Sequence, residues 1–376
     1  MIEGPTDKHL WAENYQREMR SILALTSEVA QAIASEIKIK VTPQEQTRLA
    51  SVRPVDPKAH EAVLKGRYDV FKGTEKGART GMGYARQAVD IDPTYAAAYI
   101  LLGQSYDQLA SISGLAPREA FPKAEAPYAK ALEIDDTLAE AHAGLAHVKC
   151  YYDWAWTGSE REYQRALELN PNSADARGSY AAYLTVTGRF DEAIAAAKRR
   201  IELDPLTPEM RAALGRVYLF AGRYDDSIRA FKQALELDPN HLPARYWLAM
   251  GYAAKGMDAE AVAACEDVLR SLPKEGESKM PASCAQVYAV VGRRDDALRL
   301  MEQAKRAAGD RWFDPSWMAF LYSALGDKDR AMEWLEKGYR ERCVPMVFLK
   351  VARRMFDPLR SDPRFQDLLR RMNFPP

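Results

Sequence analysis

Histidine and cysteine side chains that lie close together in the sequence are the first candidates for chemistry. His147 and Cys150 are three residues apart and would share a helix face, as two ligands of a zinc site would. Two ligands do not make a zinc site, and His142 lies five residues before His147, which does not match the H-E-x-x-H spacing. We therefore predict no metal site and interpret these side chains as packing residues.

The glycines of residues 73–83 are the second candidate, because glycine-rich loops can hold phosphates. Their sequence, GTEKGARTGMG, fits neither G-x-G-x-x-G nor G-x-x-x-x-G-K-[ST]. The chain also lacks the G-x-S-x-G motif of hydrolases and the H-R-D and D-F-G motifs of kinases. The sequence thus predicts no enzyme activity and no cofactor.

Composition excludes several classes of protein. The 376 residues include 53 Lys and Arg and 53 Asp and Glu, and this neutrality argues against a dedicated nucleic-acid binder. A hydrophobic content of 47% argues against disorder, and the four cysteines have neither CxxC nor disulfide-framework spacing. Without an apolar run of about 18 residues or a signal peptide, we expect a cytoplasmic protein with no membrane partner.

A repeated phrase organises most of the chain. ALELNP (166–171), RIELDP (200–205) and ALELDP (234–239) end 34 residues apart, which is the period of a helical-pair array. The copy at 208–241 carries the spaced residues Leu214, Gly215, Tyr218, Ser227, Phe231, Ala234 and Pro239. This pattern resembles the tetratricopeptide repeat. The resemblance implies an all-α fold, a right-handed solenoid of helix-turn-helix repeats with a helical C-terminal cap.

The register predicts eight repeats, at 62–95, 96–138, 139–173, 174–207, 208–241, 242–277, 278–311 and 312–345. Positions are counted from the first residue of each repeat, so that Gly215 is at position 8 of 208–241. Small residues at position 8 are expected to let the two helices of a repeat approach closely. Glycine at position 15 is expected at positive φ, where the first helix ends. Pro122 and Pro127 fall inside the expected second helix of the second repeat, so we predict a kink or a break there.

Both ends fall outside the period. Residues 346–376 are predicted to form a cap, with a short helix that starts at Asp362 and Pro363 and covers the last apolar face. Residues 1–61 are predicted to be a helical N-terminal segment that ends in a proline-containing linker. Within it we expect an apolar helix stripe in 9–40, a capping box at 42–45 and linker residues Pro54, Asp56 and Pro57.

Two phrases extend the resemblance over essentially the whole chain. DKHLWAENYQREMRSILALTSEVAQAIASEI (7–37) is similar to the end of the TolB-like N-terminal domain of bacterial regulators, and FDPLRSDPRFQDLLRRM (356–372) resembles the end of their tetratricopeptide arrays. Such regulators are winged-helix transcription activators, serine/threonine kinases or nucleotide cyclases. We expect the output domain, and most of the TolB-like domain, to be absent from this chain. A fragment, a split gene and a mis-set start are all compatible with that expectation.

The resemblance also implies a binding groove, lined by the first helix of each repeat. The residues at the lining positions are Gln104, His147, Tyr151, Arg216, Phe220, Tyr246, Trp247, Met250, Gln286, Phe313, Trp317 and Phe320. We expect about half of them to pack between repeats, because aromatic residues at helical spacing are more often core. The remaining residues would form an aromatic groove. Such a groove predicts a partner protein or peptide with apolar or aromatic anchors, bound as a helix or an extended chain.

The predicted function is a non-catalytic protein–protein interaction scaffold or signal-input module. The alternative is the regulatory half of a transcription regulator, Ser/Thr kinase or nucleotide cyclase whose output domain is not in this chain. Residues 338–376 hold nine Lys and Arg against four Asp and Glu, a net charge of +5. This excess predicts that an acidic partner docks at the C-terminal cap, whereas no nucleic-acid partner is expected for the chain itself.

Overall fold

The structure is a computed structural model that describes residues 55–112, 114–272, 280–309 and 311–375, and also Ile2–Glu3, Lys8–His9, Val29 and Ala32. Ile2–Glu3 (β1) and Lys8–His9 (β2) form a short antiparallel pair in which Ile2 lies opposite His9. The rest of the predicted stripe in 9–40, the capping box at 42–45 and Pro54 lie outside the described residues. In the described part of the chain, no helix has the length and apolar character needed to cross a membrane.

The described helices lie in eight successive pairs, followed by shorter helical elements. The α-helices are α1 Pro57–Phe71, α2 Glu75–Ile91, α3 Ala96–Ser111, α4 Pro117–Ile134, α5 Ala139–Val148, α6 Trp156–Leu169, α7 Ala174–Thr187, α8 Phe190–Leu203, α9 Pro208–Phe220, α10 Tyr224–Leu237, α11 Leu242–Lys255, α12 Asp258–Arg270, α13 Met280–Val290, α14 Arg294–Ala308, α15 Pro315–Ala324, α16 Lys328–Glu341, α17 Arg353–Phe356 and α18 Pro363–Arg371. A π-helical turn, Lys149–Asp153, follows α5, and 3-10 turns lie at Val344–Phe348 and Asp357–Leu359. The all-α solenoid fold is confirmed.

The chain divides into two compact units, Met1–Ser105 and Tyr106–Pro376. In the first unit, α1 and α2 pack with the start of α3 around a core that includes Val63, Ala85 and Leu101. The boundary between the units lies inside α3, whereas the sequence predicted a single array over 62–345. The predicted division into 1–61, 62–345 and 346–376 therefore stays a prediction.

The start of α1 differs from the prediction. Asp56 caps the helix by accepting a hydrogen bond from the backbone N of Lys58 at 2.8 Å, and Pro57 is its first residue. The helix therefore begins five residues before the predicted start of the first repeat at 62, and two residues expected in a linker form its N-terminus. The physical reason is that proline suits the first helical position, where no N–H is needed.

In the second unit, the first helices of successive pairs form a continuous row. The first helices from α5 to α15 contact one another in sequence, α5 with α7, α7 with α9, α9 with α11, α11 with α13 and α13 with α15, in addition to their own second helices. We call this row of first helices the inner face. Stacking in this way buries the apolar surface that a single helix pair would leave in water.

Glycines end the first helices as predicted. Gly188, Gly222, Gly256, Gly292 and Gly326 all have φ between 77° and 88°, a backbone conformation that favours glycine. The predicted break in the second repeat is wrong, because α4 is continuous from Pro117 to Ile134 with Pro122 and Pro127 inside it, and the kink stays a prediction. The buried face of α4, which includes Phe121 and Tyr128, holds the helix together despite the two missing N–H donors.

A local hydrogen bond fixes the entry into the first helix of five successive repeats. At position 4, where the tetratricopeptide pattern has Trp, the side chain donates to the carbonyl oxygen of the residue six positions earlier. The donor–acceptor pairs are Tyr99–Pro93, His142–Asp136, Arg177–Pro171, Arg211–Pro205 and Arg245–Pro239. Polar side chains thus hold the loop between repeats by satisfying its carbonyl groups.

Close helix approach makes Gly215 sensitive to substitution. A Cβ atom there would lie 2.6 Å from a ring carbon of Phe231, which is fully buried. We expect Gly215→Ala to lower the free energy of unfolding by about 1–3 kcal/mol, because the ring cannot move away freely. Urea unfolding followed by circular dichroism would measure this change.

Gly158→Ala is the matched control in the same unit. Its added Cβ would meet its nearest neighbour, a side-chain carbon of Lys149, at 3.6 Å, and Gly158 lies inside helix α6. We expect this variant to be as stable as the unsubstituted chain, or up to about 1 kcal/mol more stable. Equal unfolding midpoints for the two variants would contradict the packing argument.

Candidate functional site

The predicted groove residues divide into a buried and a half-buried set. Gln104 is half-buried and belongs to the first compact unit, and the other eleven residues belong to the second. The buried residues, less than 9% exposed, are Tyr151, Tyr246, Met250, Gln286 and Phe320. The half-buried residues of the second unit are His147, Arg216, Phe220, Trp247, Phe313 and Trp317.

Tyr246 and Gln286 join two neighbouring repeats. The Tyr246 hydroxyl donates to Oε1 of Gln286 at 3.2 Å, between α11 and α13. Tyr246 is 6% exposed, and its burial raises the pKa of its hydroxyl. A hydrogen bond in such a position stabilises the contact between repeats. These two side chains therefore have the contacts of packing residues.

His147 lies in a polar cluster with Asp107. Its Nδ1 is 2.9 Å from Oδ1 of Asp107, and its ring stacks on that of Tyr151 with 4.2 Å between centroids. Tyr128 donates to the other oxygen of Asp107 at 3.5 Å, and burial, together with this carboxylate, raises the pKa of Tyr128. No group of three or more His, Cys, Asp or Glu in the described ranges is placed to hold a metal ion. Cys150 is a buried free thiol.

Arg216 forms an ion pair with Glu209 on the same helix, α9. Its Nη2 is 2.7 Å from Oε1 of Glu209. Burial opposes ionisation of Glu209, but attraction to Arg216 and His241 outweighs it and lowers the pKa of Glu209. The positive charge of Arg216 is thus largely balanced by the carboxylate of Glu209, and the inner face presents an ion pair at this position.

The C-terminal residues cover part of the inner face. We call residues 342–375 the C-terminal segment. Phe348 of this segment stacks on Phe220, with ring centroids 5.1 Å apart, and Phe220 meets the edge of Trp247 at 6.0 Å. Phe220, Trp247 and Met250 also line a pocket of about 50 Å³, which residues 351–355 of the segment line as well. Three predicted groove residues thus face the chain's own C-terminal segment.

The segment also contacts the later repeats. Phe356 packs on Phe320 of α15 with 5.1 Å between ring centroids, and Ser323 donates to the carbonyl of Met355. Arg354 donates through Nη2 to the carbonyl of Ala254, at the end of α11, at 2.9 Å. These contacts place the middle of the segment across α9, α11 and α15.

An aromatic cage holds the beginning of the segment against the third repeat. The guanidinium carbon of Arg342 lies 4.0 Å from the centre of a Trp154 ring, and Trp154 packs on Tyr339 with 5.1 Å between centroids. Arg342 also donates to the carbonyl of Tyr152 at 3.2 Å. Arg342 and Trp154 both have φ of 58°. The two residues therefore connect the end of α16 to the turn before α6.

The predicted cap is thus more than a cover for the last repeat. The N-terminus of α18 is as predicted, with Asp362 as its capping residue and Pro363 as its first residue. However, the segment reaches from the last repeat to the third, where Trp156 donates to the carbonyl of Met372 at 2.9 Å. Sequence reasoning missed Trp154, Trp156, Arg342 and Phe348, because they lie outside the first-helix positions of the repeat register.

Many cations of the basic C-terminal end have carboxylate partners within the chain. The ion pairs include Arg360–Asp357, Arg364–Asp329, Arg370–Asp367 and Arg371–Glu336. Arg340 and Arg353 are exposed. Docking of an acidic partner at this end stays a prediction, with less available positive charge than the sequence count suggested.

Comparison with known repeat families identifies the helix pairs. Profiles described as tetratricopeptide repeat match residues 162–195, 212–275 and 317–341. These segments are tetratricopeptide repeats. The repeats at 212–275 include Phe220 and Trp247, so the half-buried aromatic pair lies on a tetratricopeptide array.

One similar protein carries the name of a cyclase. The protein named "Putative adenylate cyclase 3" of Rhizobium meliloti (strain 1021) is 32% identical over 102 residues. Those residues are 27% of this chain and 17% of the relative. The chain thus matches a small part of that protein's length, and the activity of the whole relative does not transfer with the match.

Solved structures of two other proteins, IFIT1 and PilF, resemble this chain to different degrees. A monomeric mutant of IFIT1, solved with Gppp-AAAA, has a TM-score of 0.57 at 14% identity and covers 86% of this chain and 82% of its own. The human IFIT1 dimer with PPP-AAAA has a TM-score of 0.52 at 16% identity and covers 73% and 72%. PilF of Pseudomonas aeruginosa has a TM-score of 0.42 at 25% identity and covers 58% and 94%. The two IFIT1 structures share the fold of this chain.

The aromatic cage predicts a measurable stability contribution for Arg342. We expect Arg342→Ala to lower the free energy of unfolding by roughly 1–2 kcal/mol, because the guanidinium contact with Trp154 and the hydrogen bond to Tyr152 are both lost. Arg340→Ala, at an exposed position two residues earlier, should change it by less than about 0.5 kcal/mol. Urea unfolding distinguishes the two, and equal losses would argue against the cage.

Asp362 predicts a component of acid sensitivity. Its hydrogen bond from the side chain of Arg364, together with that from the Arg364 backbone N, lowers its pKa from 3.8 to about 2. Because the folded pKa is below the unfolded one, this carboxylate stabilises the fold above about pH 4, and the contribution is lost as the pH falls through about 2. Asp362→Asn should make the free energy of unfolding depend less on pH between about pH 2 and pH 4. Identical urea midpoint curves for both proteins over pH 2–5 would contradict this.

Proposed function

We propose that this chain is a non-catalytic protein–protein interaction scaffold or signal-input module. The observation that carries the proposal is the aromatic inner face of its tetratricopeptide repeats, where Phe220 and Trp247 already hold an apolar segment of the same chain. Arrays of this kind offer extended surfaces for binding other chains. In our proposal, a partner protein or peptide supplies apolar or aromatic anchors to the part of this face that the C-terminal segment leaves accessible.

The contact with Phe348 supports the proposed chemistry of the partner. Phe348 lies in a short 3-10 turn and stacks on Phe220 at an interplanar angle of 18°. A side chain of this kind, presented on a short turn or helix, is what we propose the partner inserts. Among the half-buried groove residues, Trp247, Phe313 and Trp317 have the size of binding hot spots.

Substitution of two tryptophans tests the proposal. We expect Trp317→Ala and Trp247→Ala to weaken partner binding by about thirtyfold or more, the effect of losing a typical aromatic hot spot of 2 kcal/mol. The measurement is affinity capture with quantitative mass spectrometry, followed by titration of the captured partner. Circular dichroism would establish that both variants are folded.

Trp334→Ala is the matched control. Trp334 is also half-buried, but it lies on α16, a second helix, with Lys337 over its ring at 5.1 Å. It should leave capture unchanged, since second helices do not form the inner face. The groove proposal fails if all three variants capture the same proteins. It also fails if an acidic EEVD-like peptide binds best and Trp317→Ala has no effect on it.

A second candidate function is the regulatory half of a signalling protein. It is favoured by the match to the adenylate cyclase relative and by the resemblance of residues 7–37 to the end of a TolB-like domain. In this proposal the array receives a signal for a cyclase, kinase or winged-helix output domain. The upstream nucleotide sequence tests it: an in-frame output domain supports the proposal, and a stop codon directly before Met1 opposes it.

A further inference from the structure

The last described residues of the chain lie in a site built by other parts of the fold. We call residues 372–375 the tip. Helix α18 ends at Arg371, and Asn373 then adopts a φ of 52°, which turns the chain out of the helix toward Phe374 and Pro375. The tip therefore leaves the helix through a turn at Met372 and Asn373, and Phe374 and Pro375 meet their neighbours outside the helix.

Trp156 supplies both an apolar and a polar contact to the tip. Its indole N–H donates to the carbonyl of Met372 at 2.9 Å, and its ring stacks on Phe374 with centroids 4.8 Å apart and an interplanar angle of 22°. Trp156 is 4% exposed, whereas Phe374 is half-buried. The ring of Trp156 is thus buried beneath the ring of Phe374, which is partly in contact with solvent.

Lys350 supplies the second polar contact. Its ammonium group donates to the carbonyl of Pro375. Lys350 is half-buried, and the backbone around it is held by Arg360, which donates to the Lys350 carbonyl at 3.1 Å. The site therefore offers two N–H donors, from Trp156 and Lys350. Their acceptors, the carbonyls of Met372 and Pro375, lie on either side of Phe374 in the chain.

The site would persist if the tip left it. The carbonyl of Trp156 accepts a hydrogen bond from Tyr183 at 3.2 Å, and Trp156 is the first residue of α6. Lys350 lies between Leu349 and Val351, which are 0% and 5% exposed. By contrast, Phe374 and Pro375 are half-buried and follow the last strongly buried side chain, Met372. The end of the tip is therefore only partly buried, whereas the residues of the site that hold it are anchored by other parts of the fold.

The chemistry of the site favours a proline-containing ligand. Both polar groups of the site donate, so they need carbonyl acceptors on the ligand. A proline offers a carbonyl and no N–H, and it favours an extended backbone that docks well on aromatic side chains. In the tip, the backbone carbonyls of Met372 and Pro375 are the two acceptors, and Pro375 supplies the proline.

We propose that Trp156 and Lys350 form a peptide-binding subsite for an aromatic–proline segment of a partner protein, which replaces the chain's own tip. The partner's aromatic ring stacks on Trp156, and its backbone carbonyls accept from the indole and the ammonium group. The tip acts as a tethered competitor, because its attachment gives it a high effective concentration at the site. The inference deepens the proposed interaction function and rests on it, but it concerns residues outside the first-helix groove.

A chain without residues 374–376 tests the subsite directly. The probe is a fluorescent, N-acetylated and C-amidated peptide with the sequence of residues 372–376, Met-Asn-Phe-Pro-Pro, titrated by anisotropy. We expect saturable binding to the truncated chain, and roughly tenfold weaker binding to the full chain, where the tethered tip competes. A peptide with alanine in place of the phenylalanine and both prolines should not bind.

Two substitutions in the truncated chain identify the binding residues. Lys350→Met removes the ammonium donor and keeps the length of the side chain, and Trp156→Phe removes the indole N–H and keeps an aromatic ring. We expect each to weaken peptide binding about fivefold to tenfold, the loss of one hydrogen bond. Trp334→Phe is the control, because the ring of Trp334 lies under Lys337 on α16, and it should have no effect. Lys350→Met keeps the test decisive if Trp156→Phe does not fold.

Three results would overturn the proposal. The first is the absence of saturable binding to a truncated chain whose circular dichroism matches that of the full chain. The second is equal peptide affinity for the full and truncated chains, since the tip would then not occupy the same site. The third is a concentration-dependent dimer that truncation abolishes, which would assign the site to the tip of a second copy. None of these depends on Trp247 or Trp317, so the groove proposal can fail or succeed separately.

Discussion

A helix pair that cannot bury its own apolar face is the constraint on which the rest of this structure depends. Each tetratricopeptide repeat removes that face from water by stacking its first helix on the next one, which produces the inner face of the second unit. Stacking leaves the last repeat without a successor. The C-terminal segment takes that place, and its residues Met346, Phe356, Phe365 and Leu368 are all 0% exposed.

Local polar contacts hold the geometry that stacking requires. The carbonyl that accepts from position 4 lies in the loop between repeats, and Arg177, Arg211 and Arg245 make the same bond in three successive repeats. Second-helix hydroxyls make a comparable contact, since Ser159 and Ser227 each donate to a carbonyl of the preceding first helix at 2.8 Å. Each bond satisfies a buried or loop carbonyl, so repeated short-range interactions hold the helices and loops of successive repeats in place.

The C-terminal segment changes what the inner face can bind. An open groove would offer all of its aromatic residues to a partner, but Phe220 and Phe320 already pack on Phe348 and Phe356. The accessible surface of the first helices is then limited to their half-buried residues, while the site at Trp156 is covered by the tip. Under the proposed function, a partner would therefore bind beside the segment or replace part of it.

The sequence by itself determined the repeat, its 34-residue period, the positive-φ glycines such as Gly188 and the N-terminus of α18 at Asp362, because these features arise from local backbone and helix-capping physics. It also predicted that some groove residues would be packing, without distinguishing Tyr246 from Trp247. Only the tertiary structure decided the course of the C-terminal segment. Trp156 and Met372 are 216 residues apart, and no periodic pattern relates them. Such a contact between residues far apart in the sequence depends on the packing of all the repeats that lie between them, so the local sequence pattern does not predict it.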